Sequence, residues 1–253
     1  MNATSTNPTK RPLATAPRAR LSLLILLLLL APLCAHTILA DPTGANIVSN
    51  VTETVAPASA GSSTTAGGSF TTLVLNATTQ SPRWKAYVGN VTGTFALRDA
   101  ENKTLYDWGV ASASGEVFAT RFDVSWTGIT CAANATLTAE QAALNMSSTS
   151  VDTINKTFDQ KVHREFYVGT TRVANSTCWS IATYVNSAAQ AATENADFQE
   201  VLLENGAGEL IFAALIKQGT IGFDNERYDF QMIVPEDEYA ATPHTYYFWL
   251  ELS

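Results

Sequence analysis

Histidine, cysteine and positive charge are scarce in this chain, and each scarcity closes off a class of chemistry. Three histidines occur in 253 residues. His36 lies in an apolar N-terminal run, so a Ser–His–acid triad would rest on His163 or His244. His163 sits in the charged stretch Lys161-Val-His-Arg-Glu165, and His244 follows Pro243 just before the last strand pattern. Both contexts are those of solvent-facing loop or strand-end residues rather than of catalytic bases. There is no Gly-x-Ser-x-Gly, no phosphate-binding loop, no HExxH, no CxxC and no CxxCH. The acidic runs Asp224-Asn225-Glu226 and Glu236-Asp237-Glu238 match no calcium-loop spacing and read as solvated turns. The sequence therefore gives no reason to expect an enzyme, and it assigns no catalytic residue, cofactor or metal ligand.

Only the beginning carries a net positive charge. Lys10, Arg11, Arg18 and Arg20 fall within the first 40 residues, which hold no acid. Beyond residue 40 stand 11 basic and 23 acidic residues, a net charge of −12. Such a body repels nucleic acid, whose affinity for proteins rests on neutralised phosphates, and is a poor direct partner for anionic membranes. The four basic residues precede an apolar run, Leu21 to Ala31, of the length of a signal-peptide core. Small residues at Ala35 and Ala40 offer cleavage points. Without cleavage the run, extended through Ala40, would act as an N-terminal membrane anchor, the one membrane contact expected. Residues 1–40 thus read as a signal peptide or anchor, and 41–253 as extracellular or cell-surface. Leu33 before Cys34 argues against a lipid anchor.

Residues 41–67 are rich in Ser, Thr, Ala and Gly and read as a flexible stalk. Its one aliphatic cluster, Ile47, Val48, Val51 and Val55, could add to the sheet edge of a neighbouring subunit. From 68 to 253 period-2 patterns dominate. Phe118, Phe122, Val124 and Trp126 share one parity, as do Tyr228, Phe230, Met232 and Val234, and Tyr246, Phe248, Leu250 and Leu252. Further strands are expected at 70–77, 84–91, 93–98, 104–110, 164–168, 178–185, 199–204 and 209–217. Turns are expected at 99–103 and 205–208. Thr138-x-x-Gln141 has the form of a capping box, and Val151, Ile154 and Phe158 recur at helical spacing. The fold expected is mainly β, a single antiparallel β-sandwich-like domain with a short helical insertion near 138–160.

The strongest signal is a count. Of 13 asparagines beyond residue 40, eight stand in Asn-X-Ser/Thr: Asn50, Asn76, Asn90, Asn102, Asn134, Asn145, Asn155 and Asn175. The Ser and Thr content predicts roughly two or three. N-glycosylation is the functional expectation; turn chemistry is the competing one. Cys131 and Cys178 are the only cysteines after the N-terminal run, and an even pair in an exported chain points to a disulfide. Among the five tryptophans, Trp126 reads as core, whereas Trp84, between Arg83 and Lys85, and Trp249, of opposite parity to Tyr246, are the candidate binding aromatics.

The set Gly67-Gly-Ser-Phe-Thr-Thr-Leu73, Arg83-Trp-Lys-Ala-Tyr-Val-Gly-Asn-Val-Thr-Gly93, Leu105-Tyr-Asp-Trp108 and Tyr228-Asp-Phe-Gln-Met-Ile-Val-Pro235 resembles a group of secreted archaeal cell-surface proteins to which no activity is assigned. The resemblance covers most of 67–253 and implies an archaeal cell-surface setting and no particular chemistry. The expected role is that of a structural or interaction glycoprotein, an envelope or filament component. Its expected partners are other surface proteins or glycans, or further copies of itself. A carbohydrate- or ligand-binding module is the second reading and an extracellular enzyme the third. A buried carboxylate pair in a cleft would favour the enzyme.

Overall fold

The computed structural model describes residues 41–56, 59–64, 66–109, 114–237 and 243–252. The N-terminal signal or anchor, residues 1–40, lies outside the described residues, as does Glu238. Fifteen strands and two helices are present among the described residues. In chain order they are β1 (Thr43–Gly44), β2 (Trp84–Gly89), β3 (Thr94–Arg98), β4 (Thr104–Gly109), β5 (Gly115–Thr120), β6 (Thr130–Cys131), α1 (Asn134–Ala143), α2 (Ile154–Thr157), β7 (Phe166–Val168), β8 (Thr171–Val173), β9 (Ser180–Ala182), β10 (Gln199–Glu204), β11 (Leu210–Leu215), β12 (Thr220–Ile221), β13 (Arg227–Tyr228), β14 (Phe230–Pro235) and β15 (Tyr247–Leu252). The protein is mainly β and antiparallel, as expected.

The main sheet runs β1-β15-β5-β11-β10-β6, with β9 sharing the outer edge of β10. Its centre follows from continuous apolar runs. Leu210-Ile-Phe-Ala-Ala-Leu215 has no polar alternate, so both faces of β11 must leave water, and every residue of it is buried. Leu210, Phe212 and Ala214 enter one core with Leu137, Leu144, Ile154 and Phe158 from the helical region and Met232 and Val234 from β14. Ile211, Ala213 and Leu215 enter a second core with Val124, Ile129, Phe166, Val168 and Val173. The sandwich is therefore built on a central sheet covered on both faces. One cover holds the helices and the β14–β2 ribbon; the other holds the β7–β8 hairpin and the 122–131 connection.

Side chains tie these parts down. Asn205 is the sole buried asparagine of the thirteen; its Oδ1 accepts from the Ala207 and Glu209 amides at 3.0 Å and so shapes the β10–β11 turn. The capping box forms differently from expectation. Helix α1 starts earlier, and Thr138 lies within it, donating to the Asn134 carbonyl at 2.8 Å. Glu204 from β10 takes over the end of the helix, accepting from the Ala133 amide and the Thr136 hydroxyl. The 118–126 strand pattern stops at Thr120, whose hydroxyl donates to the Phe122 carbonyl; Phe122 is exposed while Val124 is buried. Val151 is exposed as well, although Ile154 and Phe158 are fully buried.

The stalk begins inside the domain. Thr43 and Gly44 pair with Leu250 and Trp249, and the Ala45 amide donates to the Phe248 carbonyl at 2.9 Å. The reason is the outer edge of β15, whose backbone groups would otherwise face solvent unpaired. The far end is fixed too: the Arg83 guanidinium and the Trp84 indole N–H donate to Asp152 at 2.9 and 2.8 Å, and Ser81 Oγ donates to its carboxylate. The described residues between 46 and 80 consequently belong to no strand or helix and are held at both ends of the segment, rather than standing as a spacer in front of the domain. Its aliphatic cluster is exposed, as are Phe70, Leu73, Val74 and Leu75. The strand expected at 70–77 has no sheet to join.

Candidate functional surfaces

The disulfide is formed: Cys131 and Cys178 have Cα atoms 4.9 Å apart. It joins β6 at the sheet edge to the turn before β9. His163 serves this turn and is not a surface residue, a correction to the sequence reading. It is fully buried; Nδ1–H donates to the Arg164 carbonyl at 2.8 Å, and Nε2 accepts from the Thr177 and Cys178 amides at 3.1 and 3.0 Å. Those two amides need an acceptor in a place water does not reach, which the neutral ring supplies. Burial depresses its pKa.

All eight sequon asparagines are exposed. They lie in the 46–80 loop (Asn50, Asn76), after β2 (Asn90), at the β3–β4 tip (Asn102), at the start of α1 (Asn134), beyond its end (Asn145), on α2 (Asn155) and in the disulfide turn (Asn175). The side chains of Asn145 and Asn175 donate to Asp237 and Glu194, at 2.7 and 2.6 Å.

The candidate aromatics are placed differently from the expectation of a surface platform. Trp84 is half-buried against Phe158, with its N–H held by Asp152. Trp249 is half-buried in the second core, 5.6 Å from the Trp126 ring, and its N–H donates to Thr120 Oγ1 at 3.0 Å. Its parity was read as outward because a single core was assumed; with two cores, both parities of β15 face protein.

The exposed aromatics are elsewhere. β3 and β4 form a two-stranded hairpin that pairs with no other strand among the described residues. Phe95 opposes Trp108 and Leu97 opposes Tyr106, so all four side chains share one face. They are 45–59% exposed, with the Tyr106 and Trp108 rings 5.0 Å apart. The hairpin is firm at both ends. Asp99 Oδ1 accepts from the Glu101 and Lys103 amides at the tip, where Asn102 adopts a positive φ of 64°. At the root, buried Asp229 accepts from the Val91 amide at 2.8 Å, and a Cβ on Gly93 would lie 2.1 Å from Leu252 Cδ1, so any larger residue would displace that side chain. Sequence reasoning missed this surface because its alternation looks the same whether the apolar face meets a core or water.

Three buried carboxyls were also missed. Glu116 on β5 and Glu251 on β15 are directly opposed in the ladder and both buried. Both Glu251 oxygens accept from the Gly169 amide at 3.0 Å. Burial, reinforced by Glu251 and countered by Arg164, pushes Glu116 up to about 8. Burial pushes Glu251 to about 7 against the Gly169 hydrogen bond. Glu200 is fully buried and raised well above the usual range; one oxygen accepts from the Ile233 amide at 2.9 Å and the other has no partner among the described residues. The Glu116–Glu251 pair is buried. A separate cleft of about 430 Å³ is lined by Asp159, Gln160, Ile181, Tyr184 and Gln190, among others, and includes neither carboxyl. Among the described residues no group of three or more His, Cys, Asp or Glu side chains is placed to hold a metal.

Neither a protein-family model, nor a curated protein, nor a solved structure matches the chain.

Proposed function

We propose that this chain is an exported cell-surface glycoprotein with a structural or interaction role, a component of an envelope or filament in the archaeal setting its motifs resemble. The observation that carries this reading is the hairpin face of Phe95, Leu97, Tyr106 and Trp108, left in water by a protein whose central sheet is covered on both sides. An apolar surface kept out of a well-formed core is the ordinary mark of a partner. The eight exposed sequon asparagines and the disulfide support an extracellular location. Immunogold electron microscopy of intact producing cells, with an antibody raised against residues 68–253, tests the placement. Regular surface or filament labelling is expected, and label confined to the cytoplasm or the medium overturns it. Intact-mass measurement of the native protein, before and after glycan removal, tests the sequons.

The second reading, a carbohydrate- or ligand-binding module, draws on the 430 Å³ cleft, where Tyr184 and the side chains of Asp159 and Gln160 combine a ring with polar groups. A glycan-array screen with Tyr184→Ala as control separates it from the first: saturable binding lost in the variant favours the module.

A further inference from the structure

The molecule contains a strand without a sheet and a sheet without enough strands. Phe70-Thr-Thr-Leu-Val-Leu75 combines β-branched, aromatic and aliphatic residues with no Gly, Pro or charge, the composition that pairs most readily as a strand. It nevertheless lies in solvent, with Phe70 at 93% and Val74 at 95% exposure, and belongs to no strand. The β3–β4 hairpin has the complementary deficit. Two strands alone are marginal in water, and a third strand or a packed face is what makes such a unit stable. Both outer edges of the hairpin lack a strand partner among the described residues, and its apolar face is uncovered.

Resting on the structural role proposed above, we infer that residues 70–75 of one copy add as a strand to the edge of the β3–β4 hairpin of a second copy, and that the contact repeats head to tail. Both elements are present in this chain and remain apart within it, so the occupant is another molecule of the same chain. Charge favours the same choice. Two bodies of net charge −12 repel each other, but residues 54–82 hold no charged side chain at all, so this segment can approach an acidic neighbour without that penalty. Reach is sufficient: the five residues 76–80 between the segment and its anchor at Ser81 extend roughly 17 Å at about 3.4 Å per residue. Strand addition supplies backbone hydrogen bonds, and alternate side chains supply specificity. Phe70, Thr72 and Val74 lie on one face and Leu73 and Leu75 on the other, so either orientation delivers apolar side chains beside Leu97 and Tyr106. No sequon asparagine falls inside 70–75, β3 or β4; Asn76 and Asn102 stand at their ends, where a glycan clears the shared edge. Each copy donates one surface and accepts on a different one, so the contact is heterologous and builds a filament, or a ring where the rotation between copies closes.

Complementation tests the inference. The full chain, purified from an exporting host, is compared by sedimentation velocity with two variants. The first, Leu73→Glu with Val74→Glu, charges both faces of the donor segment at two exposed positions outside both cores. The second, Leu97→Lys with Tyr106→Glu, replaces the apolar acceptor pair by an opposed ion pair that preserves the hairpin; far-UV circular dichroism checks this. The wild type is expected to form species larger than a dimer, and each variant alone to fall back to the monomer. An equimolar mixture of the two should give a dimer and nothing larger, because one donor and one acceptor remain. Assembly of either variant at the wild-type concentration, or a mixture that stays monomeric, overturns the interface while leaving a structural role intact. A wild type that stays monomeric at every concentration, with no surface array on cells, defeats both.

Discussion

The β5–β11–β10 centre and two segments outside it, residues 70–75 and the β3–β4 hairpin, use similar residues to opposite ends. In β11, Phe212 and its neighbours are buried among two cores. In β3 and β4, Phe95, Leu97, Tyr106 and Trp108 stand in water, and in the preceding loop Phe70, Val74 and Leu75 are more exposed still. Apolar burial stabilises at about 25 cal/mol per Å², so the first region contributes to the fold through its burial while the exposed side chains of the second contribute little. Apolar surface that does nothing for the fold of its own chain is retained at a cost in solubility, and an acidic, sequon-rich exterior offsets that cost. The comparison separates residues that make the molecule from residues that give it a partner.

The sharpest way to break the comparison is to truncate one aromatic in each region. Phe212→Ala is expected to lower unfolding free energy by roughly 3–5 kcal/mol, since the ring touches Phe158 and Tyr246 and nothing can collapse into its place. Phe70→Ala is expected to change it by less than about 0.5 kcal/mol. Urea denaturation followed by tryptophan fluorescence measures both. Next in size is the disulfide. Cys131→Ala with Cys178→Ala removes a link across 47 residues and is expected to cost about 2–4 kcal/mol. Burying a thiol-sized gap beside His163 keeps the loss local, so the melting temperature falls while the far-UV spectrum holds.

The third test is pH. Glu116, Glu251 and Glu200 have folded pKa values above their unfolded ones, so they favour the folded state fully below about pH 4.5; Glu251 loses that contribution as pH rises through about 7 and Glu116 through about 8, and Glu200 acts in the same direction. His163 works in the other direction: its folded pKa is depressed, so its contribution is present above about 6.5 and fades as pH falls through the folded value. Thermal melts should therefore show a mildly acidic optimum and a melting temperature that declines toward alkaline pH. Glu251→Gln is expected to flatten the alkaline arm, because a neutral amide beside Glu116 removes the like-charge term, and to leave the acid arm in place. An alkaline arm unchanged in that variant would assign the decline to other groups.

Much of the fold is legible in the residues. The runs at 84–89, 94–98, 199–204 and 210–215, the Asn205 and Asp99 turns and the cysteine pair all declare themselves through composition and spacing. The site is less legible, for one physical reason: periodicity reports that a face is apolar but not what covers it. Trp249 was assigned outward because one core was assumed, and β15 has a core on each side. His163 looked solvent-facing among charges, yet the amides of Thr177 and Cys178 draw it inward. Phe70–Leu75 reads as a strand and pairs with nothing. Glu116 and Glu251, each a single acid within an apolar run, carry no sequence mark of their opposition across a ladder.

The smallest expected effect sharpens the comparison most. Leu105 is the extra residue of the bulge in β4 and opposes no residue of β3; Trp108 is on the aromatic face, opposite Phe95, and touches Tyr106. Truncating Leu105 to Ser removes a side chain that is 80% exposed and should leave stability within about 0.5 kcal/mol of wild type. Truncating Trp108 to Ser removes one edge-on ring contact and the pair with Phe95, worth up to about 1 kcal/mol on an exposed ribbon. By denaturation of the monomer the two variants are therefore nearly alike. They part company if the aromatic face serves a partner: association, read by sedimentation at matched concentration, should weaken markedly for Trp108→Ser and stay at the wild-type level for Leu105→Ser. A side chain whose loss is nearly silent in the monomer and costly in the assembly has its energetic role in the interface. Equal association of the two variants would mean that the rings are only the inner face of a hairpin, and that partner recognition uses the backbone edges alone.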